Sequence, residues 1–409
     1  MTRFRPLPGQ QATLSPSDLH EALAGGICTV GGRVVRVDGS NVVVADALAA
    51  VSVRLESVEK FAPGDLVIVK GVLREGQIVE ASLLQRRPAQ VPTAESEFAR
   101  LSWQGVGPRL RRRAEAFRLI REYFEQQGFV EVDTPVRVRA PNLDRNVEAV
   151  RVGRDWLITS PEYAMKRLLV GGMPRIYQLV HCHRAGELGQ LHEPEFTMLE
   201  WYRAFSGLEA MIRDTEQVVA RVLGHLTGAT SALLPNGRHI DFSPPFPTMT
   251  VKEAFRRYAG IDDAAELADR NERRYFEILV ESVEPELARH PRPVFLRDYP
   301  IAQAALARQN LDDPTTAERF ELYVGGIELS NGYGELTDPT ENLRRMRRDR
   351  AWRLREHHAR YPVDDRLMAA LAEGLPPSAG NALGVDRLVA IGCQVTGIAD
   401  VIPVPNCRL

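Results

Sequence analysis

The stretch YQLVHCHRAGELGQLHEPEFTMLEWY, residues 177–202, decides the fold. Its first part alternates Tyr177, Leu179 and His181 with Gln178 and Val180, the period of a β-strand, and runs into Arg184. A turn-rich segment containing Gly186 and Gly189 follows, and a second β pattern opens at Glu195-Phe196-Thr197-Met198. The unit reads as a long hairpin. One edge of it carries Arg184, Glu187, His192, Glu193, Glu195, Phe196 and Glu200. A guanidinium grips a phosphate through two parallel N–H donors, which an ammonium cannot do. An aromatic ring beside it can lie against a purine base, so the two together suit a nucleotide held at both ends. The plainer alternative pairs Arg184 with Glu187 or Glu195 and buries Phe196 in a core.

The order of an arginine, a loop and His-x-Pro-Glu-Phe-Thr resembles motif 2 of the class II aminoacyl-tRNA synthetases, in the form of their lysine branch. The longer strings HEPEFTMLEWY (192–202) and SPEYAMKRLLV (160–170) look most like the elongation factor P–lysine ligases, synthetase relatives that load a lysine onto a protein instead of a tRNA. The resemblance implies an α+β fold, an antiparallel sheet flanked by helices, with ATP and Mg²⁺ as cofactors. It also implies that Arg184 meets phosphate, that Phe196 stacks on adenine, and that Gly186, Glu187, His192 and Glu193 border the nucleotide. Tyr202 is expected beside the amino acid. Two departures stand out. The family carries an acid two residues after the arginine, where this chain has Gly186 followed by Glu187, and an Asn before Pro-Glu-Phe, where it has Glu193.

Working outward, Leu110, Ala114, Phe117, Ile120 and Phe124 recur at helical spacing, and Gly128 is a natural stop before the strand FVEVDTP. Helix, glycine, strand and proline in this order resemble class II motif 1, which in that family builds a homodimer interface. At Ile158-Thr159-Ser160-Pro161-Glu162 a strand ends and a helix begins, with Ser160 or Thr159 as a cap and Glu162 complementing the helix N-terminus. By resemblance, Ser160, Pro161 and Glu162 touch the amino acid, and an acid there holds a substrate ammonium.

Further on, Glu321, Tyr323 and Gly325 alternate on a strand, with Glu328 and Leu329 further along it. Asn331-Gly332 reads as a sharp turn, so that Glu328 and Glu335 flank it and converge as oxygen ligands for Mg²⁺. In the family the first acid serves ATP and its metal, and the second reaches the substrate amine beside Asn331. Last comes SAGNALGVDRLVAI (378–391), a glycine-rich strand entering an apolar helix. It resembles motif 3, in which Gly384 admits close approach of a ligand and Arg387 clamps ATP. Ala382 stands where lysyl-tRNA synthetases carry glycine, a feature that in the protein ligases accompanies preference for β-lysine over α-lysine.

The chain of 409 residues is 44% hydrophobic and 26% charged, ordinary for a soluble globular protein. No apolar run approaches membrane-spanning length, the first residues lack a secretory h-region, and Cys28, Cys182, Cys393 and Cys407 lie far apart, which together point to the cytoplasm and no membrane. A net charge of −2 excludes a globally electrostatic nucleic-acid binder. Between Gly26 and Leu84 lie five short β-branched segments separated by Gly, Asp, Asn or Pro, the pattern of an OB-type barrel. Phe61 is their one aromatic, which argues against base stacking and for a docking module. The expected organisation is a barrel over 1–90, a linker over 91–106 and a catalytic domain over 107–409. The expected activity is ATP-dependent activation of lysine or β-lysine as an adenylate, with transfer to a lysine of elongation factor P. Charging of tRNA, with the barrel on the anticodon, and a regulatory protein without turnover are the alternatives.

Overall fold

The computed structural model describes residues 13–22, 24–56 and 61–409. The chain divides into two compact units, one ending at Arg111 and one beginning at Arg112. The leader expected over residues 1–15 lies outside the described residues up to position 12, as do Ser57 and Val58 at the end of one expected strand.

In the first unit, β1 (Ile27–Asp38), β2 (Asn41–Ala45), β3 (Ala50–Leu55), β4 (Leu66–Arg74) and β5 (Gln77–Arg87) close a barrel in the order β1-β2-β3-β5-β4. Alternation sends Val30, Val34, Val44, Val53, Val69 and Ile78 inward, where all are buried. The OB-type barrel expected from five β-branched segments is therefore present.

The second unit is built on an eight-stranded sheet. Its strands are β6 (Val130–Glu131), β7 (Arg175–His183), β8 (Glu195–Ala204), β9 (Thr248–Thr250), β10 (Val294–Pro300), β11 (Thr316–Val324), β12 (Ile327–Gly334) and β13 (Ser378–Gly384). Their order is β9-β10-β11-β12-β13-β8-β7-β6, antiparallel except at β9–β10 and β7–β6. The central hairpin of the sequence is thus β7–β8, paired from Arg175–Arg203 to His183–Glu195.

One face of the sheet is covered. Leu199, Trp201, Phe320, Leu322 and Leu383 pack there in one core with α1 (Val106–Gln126), α3 (Leu208–Thr227) and α10 (Val385–Gly392). The other face carries the polar side chains and is bordered by α2 (Glu162–Val170), by the short helices α4 (Val251–Ala259), α5 (Ala264–Arg270), α6 (Glu272–Ile278) and α7 (Glu284–Arg289), and by α8 (Pro339–Arg355) and α9 (Asp365–Gly374). Among the described residues no helix is long and apolar enough to cross a membrane.

The structure corrects one reading. Asn331-Gly332 is not a turn but lies in the middle of β12. The turn is Gly325-Gly326, both at positive φ (59° and 91°), a two-residue hairpin connection whose twist matches the flanking strands. A β-bulge follows at once: Leu322 pairs with Ser330 but Tyr323 pairs with Glu328, leaving Leu329 as the extra residue. That shift places Leu329 in the apolar core and turns Glu328 to the polar face.

Candidate active site

Directly paired residues form a rung across five strands: Gln178, Glu200, Ala382, Asn331 and Glu321. Opposed residues share a face, so Glu200, Asn331 and Glu321 project together from the uncovered side. The next rung brings Tyr202, Gly380, Tyr333 and Arg319 to that face. Gly380 is required there, because a Cβ would run into the Tyr202 ring and stand 2.8 Å from Glu335 Oε1.

These rungs floor a small cavity of about 140 Å³, bordered by Ser160, Glu162, Tyr202, Asn331, Glu335 and Ala382 together with Glu200. Local structure fixes each acid. The Ser160 hydroxyl donates to Glu200 Oε2 (2.7 Å) and accepts from the Glu162 N–H (3.1 Å), tying the start of α2 to β8. Tyr202 donates to Glu200 Oε1 at 2.6 Å, and Asn142 donates to Glu162 Oε2 at 3.0 Å. One helical turn after Glu162, the buried Lys166 ammonium lies 2.6 Å from Glu162 Oε1 and 2.6 Å from Glu335 Oε2. Two carboxylates therefore share one resident cation, and Glu200 is held by hydroxyls alone. Burial pushes Glu200 up to about 8, with the Glu162 charge adding to it. Burial raises Glu335 to about 7 against the opposing pull of Lys166. Desolvation lowers the Lys166 pKa, but its two carboxylates outweigh that and hold the ammonium charged.

A second cavity of about 270 Å³ adjoins the first and shares Arg184, Met198, Asn331 and Ala382 with it. The Arg184 guanidinium lies over the Phe196 ring, 5.0 Å from its centroid, with Glu187 at 3.8 Å. Opposite it, Arg387 donates to the Glu328 carbonyl (2.7 Å) and the Leu191 carbonyl (3.2 Å), and its Nη2 is 2.8 Å from His192 Nε2. Desolvation and the Arg387 charge both lower the His192 pKa, so His192 accepts this bond as neutral imidazole. Arg387 is held by its neighbour in sequence: Asp386 pairs with Arg113 of α1 and accepts from the Thr197 N–H at 2.6 Å.

Glu328 is pushed up to about 7, first by burial and then by the Glu321 charge. Glu321 itself is bound by Tyr299 (2.5 Å), Tyr323 (2.7 Å) and Arg319 (2.5 Å). Glu328 is a hard oxygen donor beside Arg184 and Arg387 and fits Mg²⁺, whereas Glu321 does not border this cavity and both its oxygens are already engaged. Among the described residues no three His, Cys, Asp or Glu side chains cluster for a metal, so phosphate oxygens would have to complete its shell. Glu335 does not fit that role. It sits beyond the far end of β12, borders only the smaller cavity and is bound to Lys166, so its expected convergence with Glu328 about a turn is not found.

Of the residues singled out in the sequence, Arg184, Glu187, His192, Glu193, Phe196, Glu328, Leu329, Gly384 and Arg387 border the larger cavity. Gly186 (φ 79°) and Pro161, which caps α2, border neither. Glu187, one residue after Gly186, does border the larger cavity. Glu193 is buried and accepts from the Asn406 N–H at 3.0 Å, anchoring the last turn of the chain. Lys166, Glu321 and Asn142 were given no role in the site by the sequence, and Glu200 was placed on the hairpin edge without a partner. The i, i+4 spacing of Glu162 and Lys166 on α2, and strand alternation through Glu200–Tyr202 and Glu321–Tyr323, were the signals available.

Residues 93–408 match the family model of the class II tRNA synthetases (D, K and N). The chain is also 37% identical over 317 residues to an elongation factor P–(R)-β-lysine ligase of Edwardsiella ictaluri, covering 74% of this chain and 96% of the relative. It belongs to this ligase family of class II synthetases. Its namesake in Proteus mirabilis is 37% identical over 312 residues (73% and 95%), and that of Hamiltonella defensa 36% over 321 residues (74% and 97%). The barrel precedes the region that matches the synthetase model.

Proposed function

We propose that the protein uses ATP to activate (R)-β-lysine as an aminoacyl adenylate and transfers it to a lysine side chain of elongation factor P. The observation that carries this reading is the junction of the two cavities: three acids, Glu162, Glu200 and Glu335, with the one cation Lys166 on one side, Arg184 and Arg387 on the other. A diamino acid brings the two ammonium groups that the acids lack, and its carboxylate is then directed toward the arginines. Ala382 stands between Glu200 and Asn331 on the rung, and its methyl group shortens the cavity relative to glycine. The names of the relatives and this methyl support the β isomer.

Arg184 and Arg387 neutralise phosphate charge as the amino acid carboxylate attacks the α-phosphate and pyrophosphate leaves. Preorganised charge supplies much of the rate in such transfers. Phe196 takes the adenine ring, and Glu187 accepts a hydrogen bond from it. Mg²⁺ would be held by Glu328 and would supply charge neutralisation on the triphosphate. No side-chain nucleophile is needed.

Elongation factor P acts with the ribosome, so on this reading the reaction belongs to the cytoplasm. The homodimer reading rests on the motif 1 resemblance of α1 and the strand after it, and the exposed Val130 and Val136 there are compatible with a second copy of the chain. Incubation of elongation factor P with enzyme, ATP and either (R)-β-lysine or lysine, followed by mass spectrometry, tests the activity. A mass gain with (R)-β-lysine is expected; none with either amino acid overturns the reading. Charging of purified tRNA under the same conditions would establish tRNA as the acceptor instead.

A further inference from the structure

A third cavity, of about 310 Å³, opens beside the amino acid subsite and shares Asn142, Asp144, Glu162, Asn331 and Tyr333 with it. Asp144 and Asn331 border all three cavities, so this point is where an adenylate's carbonyl is accessible from a third direction. The outer wall comes from the helical segment, through Glu272, Tyr275, Phe276 and Leu279.

We propose that this third cavity is the acceptor channel, receiving a lysine side chain between α6 and the 142–146 loop and delivering its nitrogen beside Asp144. The inference rests on the adenylate-forming reading above.

Charge selects the ligand class. Five carboxylates (Asp144, Glu162, Glu272, Glu321 and Asp349) face three guanidiniums (Arg145, Arg319 and Arg348), and with Glu162 paired to Lys166 the wall keeps an excess of one negative charge. The guanidiniums are already engaged. Arg145 binds Glu272 (3.0 Å) and Asp349 (2.8 Å), Arg319 binds Glu321 (2.5 Å), and Arg348 lies 3.3 Å from Asp349. An anion finds no unclaimed cation here, whereas the exposed Asp144 carboxylate accepts only from the Asn146 N–H at 3.2 Å. Tyr275 points to a ligand independently. It is fully buried, borders the cavity, stacks on Phe255 at 4.9 Å, and its hydroxyl has no hydrogen-bond partner among the described residues. Phe276 and Leu279 offer apolar wall to an aliphatic stem.

In the step this serves, the acceptor ammonium gives up one proton and its nitrogen attacks the adenylate carbonyl carbon. The new C–N bond forms as the C–O bond to phosphate breaks. AMP leaves with the electron pair, and the second proton passes from nitrogen to solvent.

Two variants on the channel wall test the assignment, measured in ATP–pyrophosphate exchange and in transfer to elongation factor P. Tyr275→Phe removes only the hydroxyl and keeps the stack, so folding is preserved; it should raise the acceptor KM about threefold to tenfold. Glu272→Lys should raise it at least about tenfold by repelling an incoming cation. For both, exchange should change several-fold less than transfer. An unchanged acceptor KM in Tyr275→Phe and Glu272→Lys overturns the channel, as does a rise confined to the β-lysine KM. Exchange without transfer by the unaltered protein overturns the parent reading, and this one with it.

Discussion

Lys166 and Glu335 form an ion pair of 2.6 Å whose side chains are only 2% and 1% exposed. Breaking such a pair strands a buried charge, at about 3–5 kcal/mol. Lys166→Met should lower the melting temperature and raise the KM for the amino acid, because Glu162 and Glu335 then take up protons. Lys166→Arg should restore part of both. Thermal denaturation and pyrophosphate exchange across pH check this, and equal KM values in Lys166→Met and the unaltered protein would remove Lys166 from substrate recognition.

The subsite acids set a pH dependence. Glu200 near 8 and Glu335 near 7 both lie above their unfolded value of 4.5, so the folded protein binds more protons than the unfolded chain between those limits. Their contribution to stability is complete below about 4.5 and is lost as the pH rises toward 8. Substrate ammonium groups favour the ionised acids, so binding releases protons and strengthens from pH 6 to 8. Calorimetry of β-lysine binding in two buffers of different ionisation enthalpy reads the protons directly; proton uptake would contradict the assignment.

Arg387 makes three fixed contacts through a planar fork, and lysine cannot reproduce them. Arg387→Ala should lower kcat in exchange by about 10²–10³, and Arg387→Lys should recover little of it. His192→Ala should show a milder loss, by freeing the guanidinium to rotate. Steady-state exchange kinetics separate the three.

Glu193 carries negative charge beside the nucleotide cavity while holding the Asn406 N–H. Glu193→Gln keeps an acceptor oxygen and removes the charge, so the KM for ATP should fall a few-fold at low salt and converge with the unaltered protein as salt screens the field. Glu193→Ala loses the hydrogen bond as well and should cost about 1–3 kcal/mol of stability.

Gly380→Ala would push Tyr202 off its rung and crowd Glu335. Overpacking of this kind costs about 1–3 kcal/mol. The amino acid KM should rise about tenfold or more, while the KM for ATP moves little, since Gly380 borders only the smaller cavity.

The hairpin Tyr177–Tyr202, the strand and helix of 378–391, and the β-branched barrel were legible in the sequence because each has an unbroken period and its own turn residues. Most of the site was legible too, since Arg184, Glu162 and Arg387 sit in contiguous strings. What escaped depends on register. Asn331-Gly332 carries the residues of a turn but lies between β11 and β13, where pairing on both sides overrides local preference. Once that turn was misplaced, Glu328 and Glu335 were drawn together and Glu321 was left without a role. Lys166 was hidden differently: no local pattern reveals that its end reaches a carboxylate on another element.

The extra residue at Leu329 makes the reading frame of β12 a matter of chemistry as well as shape. Deleting it would leave Glu328 opposite Tyr323 and Ser330 opposite Leu322 in one unbroken register, so the acid would keep its orientation and the apolar layer would lose one side chain. One residue added to β11 opposite Leu329 would do the reverse, carrying Glu328 into the oily layer beside Leu322 and Leu383, and should silence catalysis in a protein that still folds.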